Sequence, residues 1–303
     1  MAINTLGFAS KFAGELDKLF VQSAATGFFA DNVLKAKFVG AKTVIIPDLE
    51  LQGLGDYNRD DGFVNGSITV NQTSYTLSQD RARSFQIDRE DEDETGIANL
   101  AGQVMGEFVR TKVAPETDAY VLSKLATMAT TKSHLVTGTP ASSAFKMLSD
   151  AIIGVQGQCG FDEALVAFVN PTFYAALMNS TEASRSINIG EFSKGGINTK
   201  VKTYNDVPII PVAADRMKTA FTFNDGSTGG QTAGGFVPAS EAKDVGFIVI
   251  PKKGASLVKK TEKIRVFSPD QNQTKDAYKF DYRLYYDLLL KKSQQNNIYA
   301  YTY

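Results

Sequence analysis

Residues 79–95 read QDRARSFQIDREDEDET and hold the longest unbroken run of charge in the 303-residue chain. Between Asp88 and Glu94 six of seven residues are acidic, and the seventh, Arg89, is basic. Such a run repels itself unless cations approach it, and the nearest cations are Arg81, Arg83 and Arg89, in the same chain or in a neighbour. No catalytic group accompanies the run. The stretch therefore indicates a charged hinge that serves assembly rather than chemistry.

A long helical pattern follows the acidic run. Thr95 can cap a helix with apolar residues one turn apart, and the preceding carboxylates suit the helix dipole, which is a local alternative role for them. The pattern resumes after Pro115, which either starts a second helix or kinks a continuous one. A helix continuous to about Thr131 would span roughly 50 Å.

A two-stranded hairpin precedes the charged stretch. Residues 42–77 show strand patterns on both sides of the turn-rich segment Gly53–Gly62. An isolated hairpin is marginal in water, so this one needs a surface to lie on. Asp56, Asn58 and Asp60 imitate the start of a calcium loop, but Asp61 and Ser67 replace its glycine and closing glutamate, which favours a solvated tip.

Residues 5–24 predict an amphipathic helix. One apolar stripe contains Phe8, Phe12, Leu16, Leu19 and Phe20. The stripe fits either an arm that docks on another subunit or a helix packed on its own domain. Because little local core is available ahead of a hairpin, we expect the arm.

The remainder predicts an α+β body. A helix is expected over about 142–156, a strand over 164–169 and a helix from Pro171, while residues 185–240 are expected to form a second lobe. Within that lobe the glycine-dense segment 226–235 is expected to be an exposed loop.

The C-terminal region carries the clearest strand signal of the chain. Aromatic and aliphatic residues alternate with charged ones over residues 277–290. A last short strand over 296–303 is expected to return to the same sheet.

Composition excludes several classes of function. Lys and Arg total 32 against 33 Asp and Glu, which argues against a protein that grips nucleic acid. One cysteine and one histidine, Cys159 and His134, rule out a disulfide within the chain and multi-histidine metal sites. Phosphate-loop and serine-hydrolase motifs are missing, and neither a signal peptide nor a membrane span is expected. A basic cluster over Lys252–Lys263 could touch phosphates, but a solvated strand face is the simpler interpretation, and a partner for the acidic run is a third one.

Four segments together resemble a known family. They are GLGDYNRDDGFV, QDRARSFQIDREDEDET, FVRTKVAPETDAY and IRVFSPDQNQTKDAYKFDYRLYYDLL, in that order along the chain. The chain resembles the major capsid proteins of tailed bacteriophages with the Hong Kong 97-type fold. The resemblance implies an N-terminal arm over 1–40, an extended loop and hinge over 41–94, a peripheral domain with a spine helix over 95–184, an axial domain over about 185–240, and a return to the peripheral sheet over 241–303.

The resemblance also implies function and partners. It implies a non-enzymatic shell subunit of the virion, assembled in the host cytoplasm into hexamers and pentamers around DNA, without cofactor, metal or membrane. A scaffolding protein, a portal protein and a decoration protein are the implied partners; a separate scaffold is expected because the arm begins close to Met1. The inter-subunit contacts expected are Phe8, Phe12, Leu16, Asp56, Tyr57, Arg59, Asp60, Arg81, Arg83, Asp88, Arg89, Glu90, Asp91 and Glu92.

Two other classes of function stay open at this point. One is an encapsulin-like protein compartment of the same fold that holds enzymes instead of DNA. The other is a hydrolase with an unrecognised site, which would depend on His134 or Cys159.

Overall fold

A computed structural model of the chain describes residues 19–30, 37–39, 42–60, 62–90, 100–136, 138–194, 197–290 and 294–303. The α-helices are α1 (Leu100–Phe108), α2 (Ala114–Thr131), α3 (Pro140–Cys159), α4 (Pro171–Met178) and α5 (Thr181–Ser186), with a π-helical segment Val109–Val113 between α1 and α2 and 3-10 turns at Gly27–Ala30, Ala214–Arg216 and Pro269–Gln271. The strands are β1 (Lys37–Val39), β2 (Thr43–Leu51), β3 (Ile68–Thr76), β4 (Gln79–Asp88), β5 (Leu135–Val136), β6 (Leu165–Val169), β7 (Asn188–Lys194), β8 (Ile197–Tyr204), β9 (Val207–Pro211), β10 (Phe221–Phe223), β11 (Phe236–Pro238), β12 (Val245–Pro251), β13 (Ala255–Phe267), β14 (Ala277–Leu290) and β15 (Tyr299–Thr302). The predicted α+β class is confirmed.

A seven-stranded sheet, in the order β5-β15-β12-β6-β9-β8-β7, forms the larger core. Its central strands β6 and β12 are buried at every residue, as expected for strands covered on both faces. One face packs on α3 and α4, and the other belongs to the cluster around α2. At Gly246 in β12 a Cβ atom would lie 2.3 Å from a ring carbon of Tyr301, so this close approach of β12 and β15 requires glycine.

A three-stranded antiparallel sheet, in the order β13-β14-β4, forms the second body. Tyr120 of α2 meets Tyr286 of β14 edge to face, with ring centroids 5.6 Å apart. Helix α2 lies between the two sheets, because its side chains share one buried cluster with residues of β6, β12 and β14. The helix therefore joins the two parts of the core.

The long helix passes Pro115 without ending. Directly before this proline the chain forms the π-helical segment, and the Ala114 N–H donates to the Val109 carbonyl, five residues back. A proline lacks an N–H and its ring clashes with the preceding turn of a regular α-helix. The wider π turn accommodates the ring, so the helical run is continuous over 100–131, about 48 Å at 1.5 Å per residue.

The segment 19–30 packs on the core of its own chain. Phe20 and Phe29 are completely buried in the α2 cluster. The Asp118 carboxylate, also completely buried, accepts hydrogen bonds from the backbone N–H groups of Ala25 (2.8 Å) and Thr26 (2.9 Å). For Leu19 and Phe20 the expectation of an arm on another subunit is thus wrong, and the alternative of packing on the same domain is correct.

The first part of the charged stretch 79–95 forms a strand, although the sequence indicated a hinge. Residues Gln79–Asp88 form β4, which pairs antiparallel with β14 over ten residues. Apolar Phe85 and Ile87 alternate with polar residues and pack against the core, a period-two signal hidden among the charges.

The sheets also divide the chain differently from the sequence-based boundaries. Residues 185–240 do not form a separate lobe, because β7, β8 and β9 extend the same sheet as β6 and β12. The C-terminal strand does not join the sheet of β14. Instead β15 pairs with β12 and with β5 in the seven-stranded sheet.

Candidate inter-subunit contact surface

The predicted hairpin is present and extends away from the core. Strands β2 and β3 pair antiparallel from Thr43 opposite Thr76 to Leu51 opposite Ile68, and β1 adds a short third strand at the base. The first five residues of β3 are all exposed. Nine residues of strand span about 30 Å, so the tip lies far from the anchored end.

Apolar packing holds only the base of the hairpin. Val44, Ile46 and Leu77 are buried against Tyr285 and Leu289 of β14. The Tyr285 hydroxyl donates to the Leu77 carbonyl at 3.3 Å, which adds a polar contact at the same end. The surface that a lone hairpin needs is thus supplied by the chain itself, but only for the first few residue pairs.

A buried polar network fixes the junction between the hairpin and β4. The Asp287 carboxylate accepts from the Tyr120 hydroxyl (2.6 Å), from Lys124 Nζ, and from the N–H and hydroxyl of Ser78 (both 3.2 Å). Burial, followed by the nearby charge of Asp287, raises the pKa of Tyr120 well above its usual value, so this hydroxyl stays protonated and donates. The network ties Ser78 to α2 and to β14.

The distal half of the hairpin exposes a set of large apolar side chains. Its members are Leu51, Leu54, Tyr57, Phe63, Val64, Ile68 and Val70. Leu54 is fully exposed and the Phe63 side chain is 88% exposed, while Tyr57 and Phe63 contact each other with centroids 5.1 Å apart. Such a concentration of apolar surface on a protruding element is typical of a protein interface.

The predicted contact residues of the tip are all on this surface. Asp56, Tyr57, Arg59 and Asp60 are exposed. The Asn58 side-chain oxygen accepts from the Asp60 N–H at 3.0 Å, which closes a local turn rather than a ligand cage. Among the described residues no group of three acidic, histidine or cysteine side chains is placed to hold a metal.

The two arginines of β4 contact other parts of the same chain. Arg81 pairs with Glu116 of α2 at 2.6 Å and donates to the Asn224 carbonyl at 2.8 Å. Arg83 donates to the Thr232 carbonyl at 3.2 Å. Both arginines thereby hold the glycine-rich loop 224–235 against β4. Most residues of 226–235 are exposed, as the sequence predicted.

The acidic side of the predicted surface is described only in part. Asp88, Arg89 and Glu90 are exposed at the end of β4, and Asp88 accepts from the Glu90 N–H at 3.1 Å. The other predicted contacts, Phe8, Phe12, Leu16, Asp91 and Glu92, lie outside the described residues.

The side chains considered for catalysis do not have the features of a nucleophilic pair. Burial raises the pKa of the Cys159 thiol, which disfavours the reactive thiolate. His134 stacks on the Tyr299 ring at 4.5 Å, and its Nδ1 atom is buried without a hydrogen bond. An activated cysteine would need the opposite pKa shift.

Sequence reasoning missed Leu54, Phe63 and Val64 as candidate contacts. A usable signal was present, because large apolar residues are unusual among the Gly, Asp and Asn of a turn-rich segment. It also missed the buried carboxylates of Asp118 and Asp287, which carry no local sequence signature.

Comparisons with known proteins agree with this architecture. The chain matches no known family model and no protein of curated function. Among solved structures, the mature capsid of bacteriophage PhiM1 is similar with a TM-score of 0.54 and 12% identity over 86% of this chain and 82% of that one. The capsid of cyanophage P-SCSP1u gives 0.54 and 12% over 88% and 84%. A virus-like particle from Pyrococcus furiosus gives 0.51 and 11% over 97% and 99%.

These similarities establish the fold, which is the one seen in phage capsids and in that particle. No helix in the described part of the chain is long and apolar enough to cross a membrane.

Proposed function

We propose that the protein is the structural subunit of an icosahedral viral capsid that assembles into hexamers and pentamers and encloses a double-stranded DNA genome. The hairpin carries the proposal, because it is fixed at its base and exposes seven large apolar side chains in its distal half. This surface is unfavourable in water and becomes favourable when a neighbouring subunit buries it. The capsid fold supports the same conclusion.

In this proposal each hairpin lies on the next copy around a ring. Such a contact is heterologous, since two different surfaces meet, and it closes a ring when the rotation between copies is right. The helix 100–131 and the sheet β13-β14-β4 would form the peripheral domain, with the helix as its spine, and the seven-stranded sheet would form the axial domain. Many modest contacts of this kind make a strong shell.

The predicted contact residues take different roles in the proposal. Asp56, Tyr57, Arg59 and Asp60 would touch the neighbour directly. Arg81 and Arg83 would act by holding the loop 224–235, because their described contacts lie within the chain. The contacts proposed for Phe8, Phe12, Leu16, Asp91 and Glu92 rest on the sequence alone.

The proposed partners follow from the capsid role. A net charge of −1 suits a shell that confines DNA without binding it tightly. Scaffolding, portal and decoration proteins would assist assembly in the host cytoplasm, and the finished protein would reside in the virion capsid. The role is structural and needs no catalytic site or cofactor.

Electron microscopy of purified protein tests the proposal. Wild-type protein should give closed particles tens of nanometres across, because a closed shell contains many subunits joined by interfaces of ordinary size. The double variant Leu54→Ser with Phe63→Ser should remain folded by circular dichroism but form no particles. The matched control Phe161→Ser changes an exposed phenylalanine outside the hairpin and should still assemble. Normal particles from the tip variant, or none from the wild type, would contradict the proposal.

A second candidate is an encapsulin-like compartment. It is favoured by the Pyrococcus furiosus virus-like particle, which aligns over 97% of this chain and 99% of its own. Nucleic acid extracted from nuclease-treated particles decides between the two. Protected DNA of uniform length supports the capsid, and protein cargo without DNA supports the compartment.

A further inference from the structure

The sheet β13-β14-β4 has an outer face that the hairpin covers only at one end. Tyr285, Leu289 and Val258 meet the hairpin base there. Beyond that end, the outward side chains of β13 include two cations, Lys263 and Arg265, and no carboxylate, as follows from strand alternation and register.

On the other side of the sheet the charge is reversed. The outward residues of β4 are those in register with the outward residues of β14, and their charged members are the carboxylates Asp80 and Asp88. Exposed Arg89 and Glu90 follow the strand, so the carboxylates of Asp88 and Glu90 outnumber the single cation at this end. The face therefore runs from positive at β13 to negative at β4.

Charges in the middle of this face pair within the chain. Arg283 of β14 forms a bidentate ion pair with Asp80, with contacts of 2.9 and 2.6 Å. Lys279 lies 3.7 Å from Asp281. The Asp80 carboxylate is therefore already paired within the chain and is not available to a neighbour. Its pKa lies below the usual value, mainly because of the hydrogen bond from Arg283.

The charges left over lie at the two edges. Among the described residues no ion pair engages Lys263, Arg265, Asp88 or Glu90. They are too far apart to pair in one chain. Arg265 is in register, through β14, with Ser84, and Asp88 lies four residues beyond Ser84 along β4. Arg265 and Asp88 are therefore about 10 Å apart across the sheet and about 13 Å apart along it, or roughly 16 Å in total.

We infer that the β13 edge of one copy meets the β4 edge of a neighbouring copy, with Lys263 and Arg265 of one subunit against Asp88 and Glu90 of the next. The inference rests on the proposed function and names a second contact of the shell besides the hairpin. Charge complementarity identifies the partner of each edge as a second copy of this chain, because every copy carries both the cationic and the acidic edge. The neighbouring sheet would be offset by about 13 Å along the strands.

This arrangement gives the assembly a direction. A cationic edge repels a second cationic edge, and an acidic edge repels a second acidic one, so only unlike edges meet. Exposed edge strands otherwise pair without discrimination. Opposite edges of one sheet also make the contact heterologous, as ring formation requires.

Charge reversal with rescue tests the inference. The variant Lys263→Glu with Arg265→Glu should lower particle yield about ten-fold or more at low salt, and so should Asp88→Lys with Glu90→Lys. The combined quadruple variant restores unlike edges and should assemble within about three-fold of the wild type. Lys243→Glu, an exposed charge outside the sheet, should have no effect.

The outcomes separate this inference from the proposed function. If the wild type forms no shells, the proposed function fails. If the wild type assembles and both reversals assemble equally well, or if the quadruple variant is not rescued, the edge contact is wrong. Intact shells with less packaged DNA after the Lys263 and Arg265 reversal would assign the basic edge to phosphate instead.

A cross-linking pair covers the case in which a reversal variant does not fold. In a Cys159→Ser background, subunits with Arg265→Cys are mixed with subunits carrying Asp88→Cys before assembly and then oxidised. Disulfide-linked dimers should form between the two kinds of subunit, since a disulfide requires Cα atoms within about 7 Å. Recovery of monomers alone from assembled particles would overturn the contact.

Discussion

Replacing Asp118 with alanine should destabilise the subunit strongly, because this buried carboxylate joins three parts of the chain. It accepts from the N–H groups of Ala25 and Thr26, from the Thr26 hydroxyl (2.7 Å), and from the Arg216 guanidinium (3.1 Å). The carboxylate belongs to α2, whereas its donors belong to the segment 19–30 and to the 3-10 turn Ala214–Arg216.

The size of the effect follows from what each donor loses. Two backbone N–H groups would be left unpaired, each at about 1–3 kcal/mol where no water reaches them. The Arg216 side chain is 24% exposed, so water replaces part of its lost ion pair, which we count at about 1 kcal/mol. The free energy of unfolding should therefore fall by about 3–7 kcal/mol, a large share of the stability of a typical domain.

Urea unfolding of unassembled subunits, followed by circular dichroism, measures this loss. Asp215→Ala is the matched control, because Asp215 is 69% exposed and lies 3.9 Å from the same arginine; its effect should stay below about 0.5 kcal/mol. Asp118→Asn keeps one acceptor and should fall between the two. A loss below about 1 kcal/mol for Asp118→Ala would refute the reasoning.

Three further predictions concern other parts of the chain. Gly246→Ala should lower the free energy of unfolding by about 1–3 kcal/mol through steric overlap, whereas Gly157→Ala, with open space around its Cβ, should be neutral or stabilising; thermal denaturation compares them. The Arg283 contact lowers the pKa of Asp80, so this ion pair stabilises the fold at neutral pH and ceases to do so as the pH falls below about 3.8. In Asp80→Asn the free energy of unfolding should therefore fall less steeply with decreasing pH in this range. An unchanged pH dependence would contradict the prediction. Cys159 should react with a thiol reagent at a higher pH midpoint than a free cysteine does, since burial raises its pKa, and a midpoint below that of free cysteine would revive the hydrolase hypothesis.

Local patterns predicted much of the fold. The strand over 277–290 was found at its predicted bounds, and the hairpin, α3 and α4 were found within a few residues of theirs. Each has a strong period of two or of about 3.6, or a proline at its start. The continuous helix across Pro115 could not be decided from sequence, because a π turn depends on the packing on both sides of it.

Long-range pairing was the part that sequence did not reveal. The C-terminal strand has the same local pattern whether it joins β14 or β12, so its pairing with β12 was not visible in the sequence. Strand β4 was missed because its charges concealed the alternation of Phe85 and Ile87. Buried Asp118 and Asp287 were missed because their donors are roughly 90 to 210 residues away in the chain.

The anchored base and the free length of the hairpin together make a lever. With about 17 Å of strand between Ile46, the last buried residue of β2, and the strand end at Leu51, a rotation of 10° at the base displaces that end by about 3 Å. Such a rotation would disturb mainly the side chains packed around Leu77, where the hairpin base meets β14. In the proposed capsid, this freedom would let identical subunits reach neighbours at the unequal angles of five-fold and six-fold positions.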